Sequence, residues 1–350
     1  MVKRILVSGA TGFIAGHTIA RLLAKGHRVV GTVRDLTDQR KLAPLRQLPG
    51  AAERLLLVRA DLLDDDPFGL HVDVDVVMHL ASPYRLTVKN PQRDLVDPAV
   101  QGTLVLLRAA AKSASVRRVV LTSSFAAVSD APDGRELTEK DWNHHSSPTR
   151  NPYFFSKAQA EREAWNFIAR EKPRFDLVAI NPSLVIGPAK SAVINASNQL
   201  LVDLVTGKYP AIMDLTFGIV DVRDVADAHL AAMEKPQAEG RYLCVSDRLT
   251  MADLVAQIRR LGYGQGKLPR LDCSGPFGTG LMKLLSYSQP AGVGDYLRSH
   301  LGRSLRLDNG KIIRDLGLTF YRPEESVETA LADLSNWGHI PAPKANTKSH

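Results

Sequence analysis

A phenol and an ammonium four residues apart are the first sign of chemistry in this chain. In Tyr153-Phe-Phe-Ser-Lys157 the two groups share one face of any helix that contains them. A neighbouring ammonium favours phenolate and draws a tyrosine pKa down from its usual value of about 10. The phenol then serves as a proton donor or acceptor near neutral pH. The pattern recurs at Tyr263-Gly-Gln-Gly-Lys267, but two glycines between the ends argue for a loop, and that copy is read as coincidence. Upstream of the first copy, Arg118-Val-Val-Leu-Thr122 reads as a strand that carries two hydroxyls, Ser123 and Ser124, out at its end.

A second constellation lies near residue 9. Ile5-Leu6-Val7 is a short apolar run of the kind that forms a strand buried on both faces. Gly9 and Gly12 follow, then Ala15 and Gly16, while Ile14, Ile19, Leu22 and Leu23 recur at helical spacing. Strand, glycine turn and helix in that order are the context in which such a turn binds a dinucleotide. Gly9 lets the chain turn sharply, Gly12 removes a side chain where a pyrophosphate must approach the backbone, and the helix N-terminus offers free N–H groups. The spacing is G-x-x-G-x-x-A, with Ala15 small enough for close packing of helix on strand. Lys157 would then reach the ribose hydroxyls of a nucleotide lying along the strand ends.

These groups need elements to hold them. Strands are expected at 28–33, 55–58, 74–79, 118–122 and 175–180, alternating with helices near 38–48, 92–113 and 152–170. Such alternation predicts an α/β fold, a doubly wound parallel sheet of Rossmann type, with ligand chemistry at the carboxyl ends of the strands. Gly9, Arg34, Asp61, Ala81 and Ser124 all fall at such ends. The expected organisation is a dinucleotide-binding domain over 1–180, then a smaller, interleaved substrate lobe over 181–340 with returns to the sheet. Residues 341–350 are expected to be a disordered tail.

Composition bounds the function. The chain has 350 residues, of which 44% are hydrophobic and 23% charged, as in an ordinary globular protein. A net charge of +8 comes from scattered Lys and Arg without a basic block, so no nucleic-acid partner is expected. Two cysteines, Cys244 and Cys273, exclude a disulfide framework and give no metal cluster. His144-His145 reads as a surface loop rather than a metal pair, because adjacent residues point to different sides. No run reaches the roughly 18 apolar residues of a membrane helix and no signal peptide is visible, so a cytoplasmic, membrane-free protein is expected.

Together, Gly9-x-x-Gly12, Thr122-Ser123-Ser124 and Tyr153-x-x-x-Lys157 resemble the extended short-chain dehydrogenase/reductases. Thr32-Val33-Arg34-Asp35, His79-Leu80-Ala81-Ser82-Pro83, Asn181-Pro182-Ser183-Leu184-Val185-Ile186-Gly187-Pro188 and the stretch from Val220 to His229 are similar to one branch of that family. That branch holds dihydroflavonol 4-reductases, cinnamoyl-CoA reductases and microbial carbonyl reductases of the methylglyoxal type. The resemblance implies that Tyr153 protonates the carbonyl oxygen, that Lys157 holds the nicotinamide ribose, and that Ser124 rather than Ser123 bonds the carbonyl. It also implies a cofactor set of Gly9, Thr11, Gly12, Phe13 and Ile14 at the turn, with Asp61 and Leu62 around the adenine. Ala81, Ser82 and Thr122 would lie along the cofactor, and Pro182 and Val185 would flank the nicotinamide.

Cofactor choice rests on the end of the second strand, where an acidic residue takes the ribose hydroxyls of NAD and an arginine accommodates a 2′-phosphate. Arg34 stands there, with Arg40 and Lys41 close behind, so NADP(H) is favoured over the alternative in which Asp35 takes the ribose. Ser129 replaces the asparagine that reads ring hydroxyls in plant dihydroflavonol reductases, which argues against a flavonoid. Asn151 matches a cinnamoyl-CoA reductase pattern, but Phe154-Phe155-Ser156 does not continue it. Phe125, Trp142 and Phe154 are candidates for an apolar, aromatic-accepting pocket, though such residues are more often plain core. The reading is an NADP(H)-dependent reductase of a small or medium aldehyde or ketone, a monomer or homodimer. Its rivals are a hydroxysteroid dehydrogenase/isomerase, a nucleotide-sugar epimerase or dehydratase, and a non-catalytic NADP(H) sensor, for which Ser124, Tyr153 and Lys157 together would have no use.

Overall fold

A computed structural model describes residues 1–62, 64, 73–82 and 88–344. Pro83, part of one motif above, and residues 345–350 of the expected tail lie outside the described residues. The chain opens with β1 (Arg4–Ser8), α1 (Phe13–Ala24), β2 (Arg28–Val33), α2 (Gln39–Arg46), α3 (Ala51–Arg54), β3 (Leu55–Arg59) and β4 (Val76–His79). It continues with α4 (Asp97–Lys112), β5 (Arg118–Thr122), β6 (Glu136–Leu137), α5 (Pro152–Glu171) and β7 (Asp176–Pro182). Then come β8 (Leu184–Ile186), α6 (Ala196–Val205), β9 (Ala211–Met213), β10 (Thr216–Asp221), α7 (Val222–Glu234) and β11 (Gly240–Cys244). The last part holds β12 (Asp247–Thr250), α8 (Met251–Arg260), β13 (Leu271–Cys273), α9 (Pro276–Leu285), α10 (Ala291–His300), β14 (Arg306–Leu307), α11 (Gly310–Leu316) and α12 (Pro323–Asn336).

Seven strands form one parallel sheet in the order β11-β7-β5-β4-β1-β2-β3. The order reverses direction beside β1, so the crevice outside β1 and β4 is the place where such sheets take ligands. Alternation along each strand sorts the core into two layers. Ile5, Val7, Met78, Val120 and Ile180 join Ile19, Leu22, Val225 and Leu230 of α1 and α7 on one face. Leu6, Val77, Val119, Leu121 and Leu177 join Leu106, Leu107 and Phe167 of α4 and α5 on the other. Strands covered on both faces must be apolar at every position, which is why they read as runs rather than alternations.

A second core belongs to the smaller lobe. There β8, β10 and β12 form a three-stranded sheet covered by α6, α8 and α12, with Leu201, Phe217, Ile219, Leu254 and Leu331 inside. The chain enters this lobe after β7, returns to the main sheet through α7 and β11, and leaves again at β12.

Three boundaries differ from the sequence expectation. The helix expected over 92–113 starts as a five-residue π-helical turn, Gln92–Val96, before α4. Pro98, lacking an N–H, cannot donate to a carbonyl one turn back, and the wider turn precedes it. Strand β7 runs two residues past Ile180, because its ladder with β11 extends to the Cys244–Pro182 pair. The chain past Ile340 does not leave the body at once: the Lys344 N–H donates to Gly262 O at 3.0 Å, and the Gln265 amide donates to Ala342 O at 3.2 Å.

Gly9 shows why the first turn needs its glycine. Its φ is +66°, and a Cβ there would stand 2.9 Å from the Ala81 Cα. Gly9→Ala is expected to cost about 1–2 kcal/mol for the left-handed backbone alone, with the collision against β4's exit added. Urea unfolding checks this, and an unchanged midpoint would refute the close approach of the two strand exits.

Candidate active site

The crevice is built from the exits of β1, β4, β5 and β7. Ser8 and His79 are register partners on β1 and β4, and the Ser8 Oγ lies 2.8 Å from His79 Nδ1. The Ser8 Oγ also accepts the N–H groups of Leu80 and Ala81, each at 3.0 Å. With its acceptor side used, Ser8 donates to Nδ1, which leaves the histidine's proton on Nε2, 3.4 Å from Thr103 Oγ1. Burial, and the positive charge of Lys157, lower the His79 pKa to about 3. His79 is thus a neutral, packed strut that shapes the exit carrying Ala81 and Ser82.

Helix α5 carries the phenol and the ammonium. Pro152 opens it with a φ already suited to a helix, and Tyr153, Lys157, Glu161 and Trp165 follow at four-residue steps along one face. Lys157 is buried and its ammonium donates to Ser82 Oγ at 2.9 Å. Burial lowers its pKa to about 8, opposed by Glu161 one turn on. A lysine so placed is close to the point of losing its charge and reaches the cofactor edge of the sheet.

The two serines have different work. Ser123, facing the α5 side, donates to Glu161 Oε2 at 2.6 Å and is fully committed there. Ser124 is half-buried and starts a 3-10 turn, Phe125–Ala127, with its Oγ accepting the Ala126 N–H at 3.1 Å. Its hydroxyl proton stays available to a ligand oxygen. Thr122, one of the residues expected along the cofactor, points the other way. It shares with Val120 the face toward α7, and its hydroxyl meets His229 Nε2 at 2.6 Å while His229 Nδ1 is bound to Val225 O at 2.7 Å. What Thr122 presents at the strand end is backbone.

Glu161 is the centre of a buried network that the sequence did not disclose. Its carboxylate accepts from Ser123, from Asn181 Nδ2 at 2.7 Å, from Trp165 Nε1 at 3.2 Å, and from Arg241 Nε at 2.6 Å. Asn181 also donates to Ser124 O at 3.2 Å, so the end of β7 grips the serine exit directly. Arg241, buried on β11, donates to Glu139 O and Asp141 O, and its guanidinium stacks 3.8 Å over Trp142. Trp142 is therefore part of this network, not of an apolar pocket. Phe125 packs beside Val128 and Leu137, and Phe154 faces Tyr296 and His300 of α10. A continuing four-residue step beyond Lys157 was the one available signal for Glu161.

The glycine turn fits a dinucleotide. No side chain caps the N-terminus of α1 and its first turn holds no acid, which leaves its N–H groups to an anion. A cleft of about 170 Å³ opens there between Thr11, Gly12 and Phe13 on one side and Lys41 and Lys190 on the other. Ile14 starts the buried face of α1. At the end of β2, Arg34 is exposed and has no acceptor among the described residues, whereas the Asp35 carboxylate is tied to the N–H and hydroxyl of Thr37 at 2.7 and 2.6 Å. Lys41 pairs with Asp38 at 3.0 Å. Asp61 and Leu62 follow β3, Leu62 against Gly102 of α4, and Pro182 and Val185 are buried at the exit of β7 and in β8.

Comparison with known proteins places the chain in a family. Residues 5–244, from β1 to the last residue of β11, match the NAD dependent epimerase/dehydratase family, and the chain belongs to that family. Cinnamoyl-CoA reductase CAD2 of Medicago truncatula is 39% identical over 76% of this chain and 82% of its own length. Cinnamoyl-CoA reductase 1 of Petunia hybrida is 36% identical over 97% and 94%. Among solved structures, Gre2 of Candida albicans in complex with NADPH superposes with a TM-score of 0.78 at 32% identity, covering 95% of this chain and 99% of that one. The yeast methylglyoxal/isovaleraldehyde reductase Gre2 with NADPH gives 0.76 at 28% identity, covering 96% and 100%.

The network makes a stability prediction. Glu161→Ala would leave the Arg241 guanidinium buried without its counter-charge, at a cost of about 3–5 kcal/mol. The expected result is a lower urea midpoint with an unchanged slope. A variant as stable as the parent would show that the pair does not hold these strands together.

Proposed function

We propose that this chain is an NADPH-dependent reductase of small or medium aldehydes and ketones, reversible as an alcohol dehydrogenase, working in the cytoplasm as a monomer or homodimer. The observation that carries the reading is the division of labour around α5. Lys157 is buried against Ser82, Ser123 is diverted to Glu161, and Ser124 keeps a hydroxyl proton to give. Relatives with NADPH at the equivalent fold and with carbonyl or thioester reduction in their names support it.

When bound, a reduced nicotinamide supplies hydride to the carbonyl carbon. Ser124 donates a hydrogen bond to the carbonyl oxygen, and Tyr153 donates the proton that the oxygen takes up. Two oriented O–H donors in a partly dry crevice stabilise the charge that develops on that oxygen. Lys157 sets its positive charge one helical turn from Tyr153 and holds a ribose hydroxyl beside Ser82. Glu161 keeps enough proton affinity on Lys157 for it to stay charged near neutrality. Arg34 gives a 2′-phosphate a two-pronged partner, which is the basis for NADPH over NADH.

Three expected outcomes follow. Tyr153→Phe should lose roughly 100- to 10,000-fold in turnover while NADPH still binds, as measured by stopped-assay kinetics and fluorescence titration; retained turnover would turn the reading toward a cofactor sensor. Arg34→Ala should cut the NADPH-over-NADH preference by about 10- to 100-fold, the worth of one charged hydrogen bond; equal losses with both cofactors would place the 2′-phosphate elsewhere. Carbonyl reduction should fall as pH rises through about 8, because Lys157 is charged below that value and neutral above it. A flat profile from pH 6 to 9, in assays saturated with cofactor, would remove Lys157 from that role.

A further inference from the structure

Asn151 begins α5 in an unusual way. Its backbone is left-handed, with φ +49°, one of three positive values among the described non-glycine residues. Asparagine at such a position ordinarily turns its side chain onto the first N–H groups of its own helix, but here it caps nothing. Its amide instead donates to Asp130 Oδ1 and, at 3.0 Å, to Ser299 Oγ of α10. Its own N–H donates to Asp295 Oδ2 at 3.3 Å. Both Asn151 and Asp130 are buried, and Asp130 Oδ2 has no hydrogen bond among the described residues, only the Arg150 guanidinium at 3.8 Å. A carboxylate is kept fully buried for this contact.

The two ends of the contact lie next to the reacting groups. Asn151 is two residues before Tyr153, and Asp130 is six residues after Ser124. Between Ser124 and Asp130 the chain is stiff. Ala127 N–H bonds Ser124 O, Val128 and Ser129 N–H groups bond Phe125 O, and Asn143 grips Ala126 and Ala127 from outside. We infer that Asp130 and Asn151 are positioning residues that fix the Tyr153 phenol relative to the Ser124 hydroxyl, with α10 of the smaller lobe bolted to the same point. This rests on the reductase reading. It adds that the spacing of the two donors is set by a side-chain tether rather than by the helix alone, and that the lobe bears on it through Ser299 and Asp295.

The test measures kcat and KM for a reduced aldehyde panel, and NADPH Kd by fluorescence, for the parent, Asp130→Ala, Asp130→Asn, Asn151→Ala and Asn151→Gly. Misplacing a donor by about an ångström costs on the order of 100-fold, so Asp130→Ala and Asn151→Ala should lose about 10- to 100-fold in kcat with NADPH Kd within twofold. Asp130→Asn, whose amide oxygen accepts the same hydrogen bond, should keep about a third or more of kcat. Asn151→Gly takes the left-handed backbone freely but has no amide, so it should lose as much as Asn151→Ala; if Asp130→Ala does not fold, this variant decides. Glycine at full activity, or Asp130→Ala within twofold of the parent, overturns the inference while the reductase reading stands. A cofactor Kd that weakens in step with kcat also overturns it, since the damage is then general. A parent chain that reduces no carbonyl overturns the reductase reading and this inference with it.

Discussion

The buried pairing of Glu161 with Arg241 is the constraint on which the rest of the site depends. It joins the exit of β5, the middle of α5, the end of β7 and the edge strand β11 at one carboxylate. A buried ion pair contributes little net stability compared with an apolar pair of the same shape, so its significance lies in what it aligns. Five donor groups from four residues, Ser123, Trp165, Asn181 and Arg241, converge on two oxygens, and the four residues come from β5's exit, α5, β7 and β11. Moving any one of them strands the others. The position of Ser124 follows from this, because Asn181 holds its carbonyl with the same amide that binds Glu161.

The same carboxylate governs charge. Lys157 and His79 lie in one buried region, and two cations there would repel across a poorly screened gap. The conflict is resolved by burial, which with the Lys157 charge keeps His79 neutral, and by offering Lys157 a partial counter-charge one helical turn away. The lysine therefore stays ionised without being locked into a salt bridge, and its ammonium points to the Ser82 hydroxyl at the strand exits. Electrostatics and geometry are set by a single residue.

Much of this was legible from local patterns. The glycine turn, the strand exits and the Tyr153–Lys157 step are short-range features, and the apolar runs reported a sheet covered on both faces. Ser124 was separable from Ser123 only by resemblance, and the physical reason, the commitment of Ser123 to Glu161, needed the fold. The order of three hydroxyls in sequence hides their alternation between faces; the period of two sends the Thr122 side chain to α7 and Ser123 to α5. Glu161 drew no reading because its partner Arg241 is 80 residues away. Strand β11 begins with glycine and a buried arginine, so its apolar part is only Tyr242-Leu243-Cys244, and the seventh strand went unassigned. Trp142 was misjudged for the same reason, since the guanidinium that covers it comes from that strand.

The path of the chain through β11 has a consequence for how such proteins change. The smaller lobe is shared between an insertion and the stretch after β11: the chain departs after Pro182 and must come back to lay the sheet's last strand beside β7 before leaving again. A fragment ending at residue 182 would keep every residue proposed for proton transfer yet lack the arginine that neutralises their support. The heritable unit is thus the stretch through Cys244, and the room for a different substrate pocket lies in the excursion from 183 to 221, before α7 rejoins the main core, or beyond residue 244. Modularity in this fold is decided by where the last strand of the sheet is encoded.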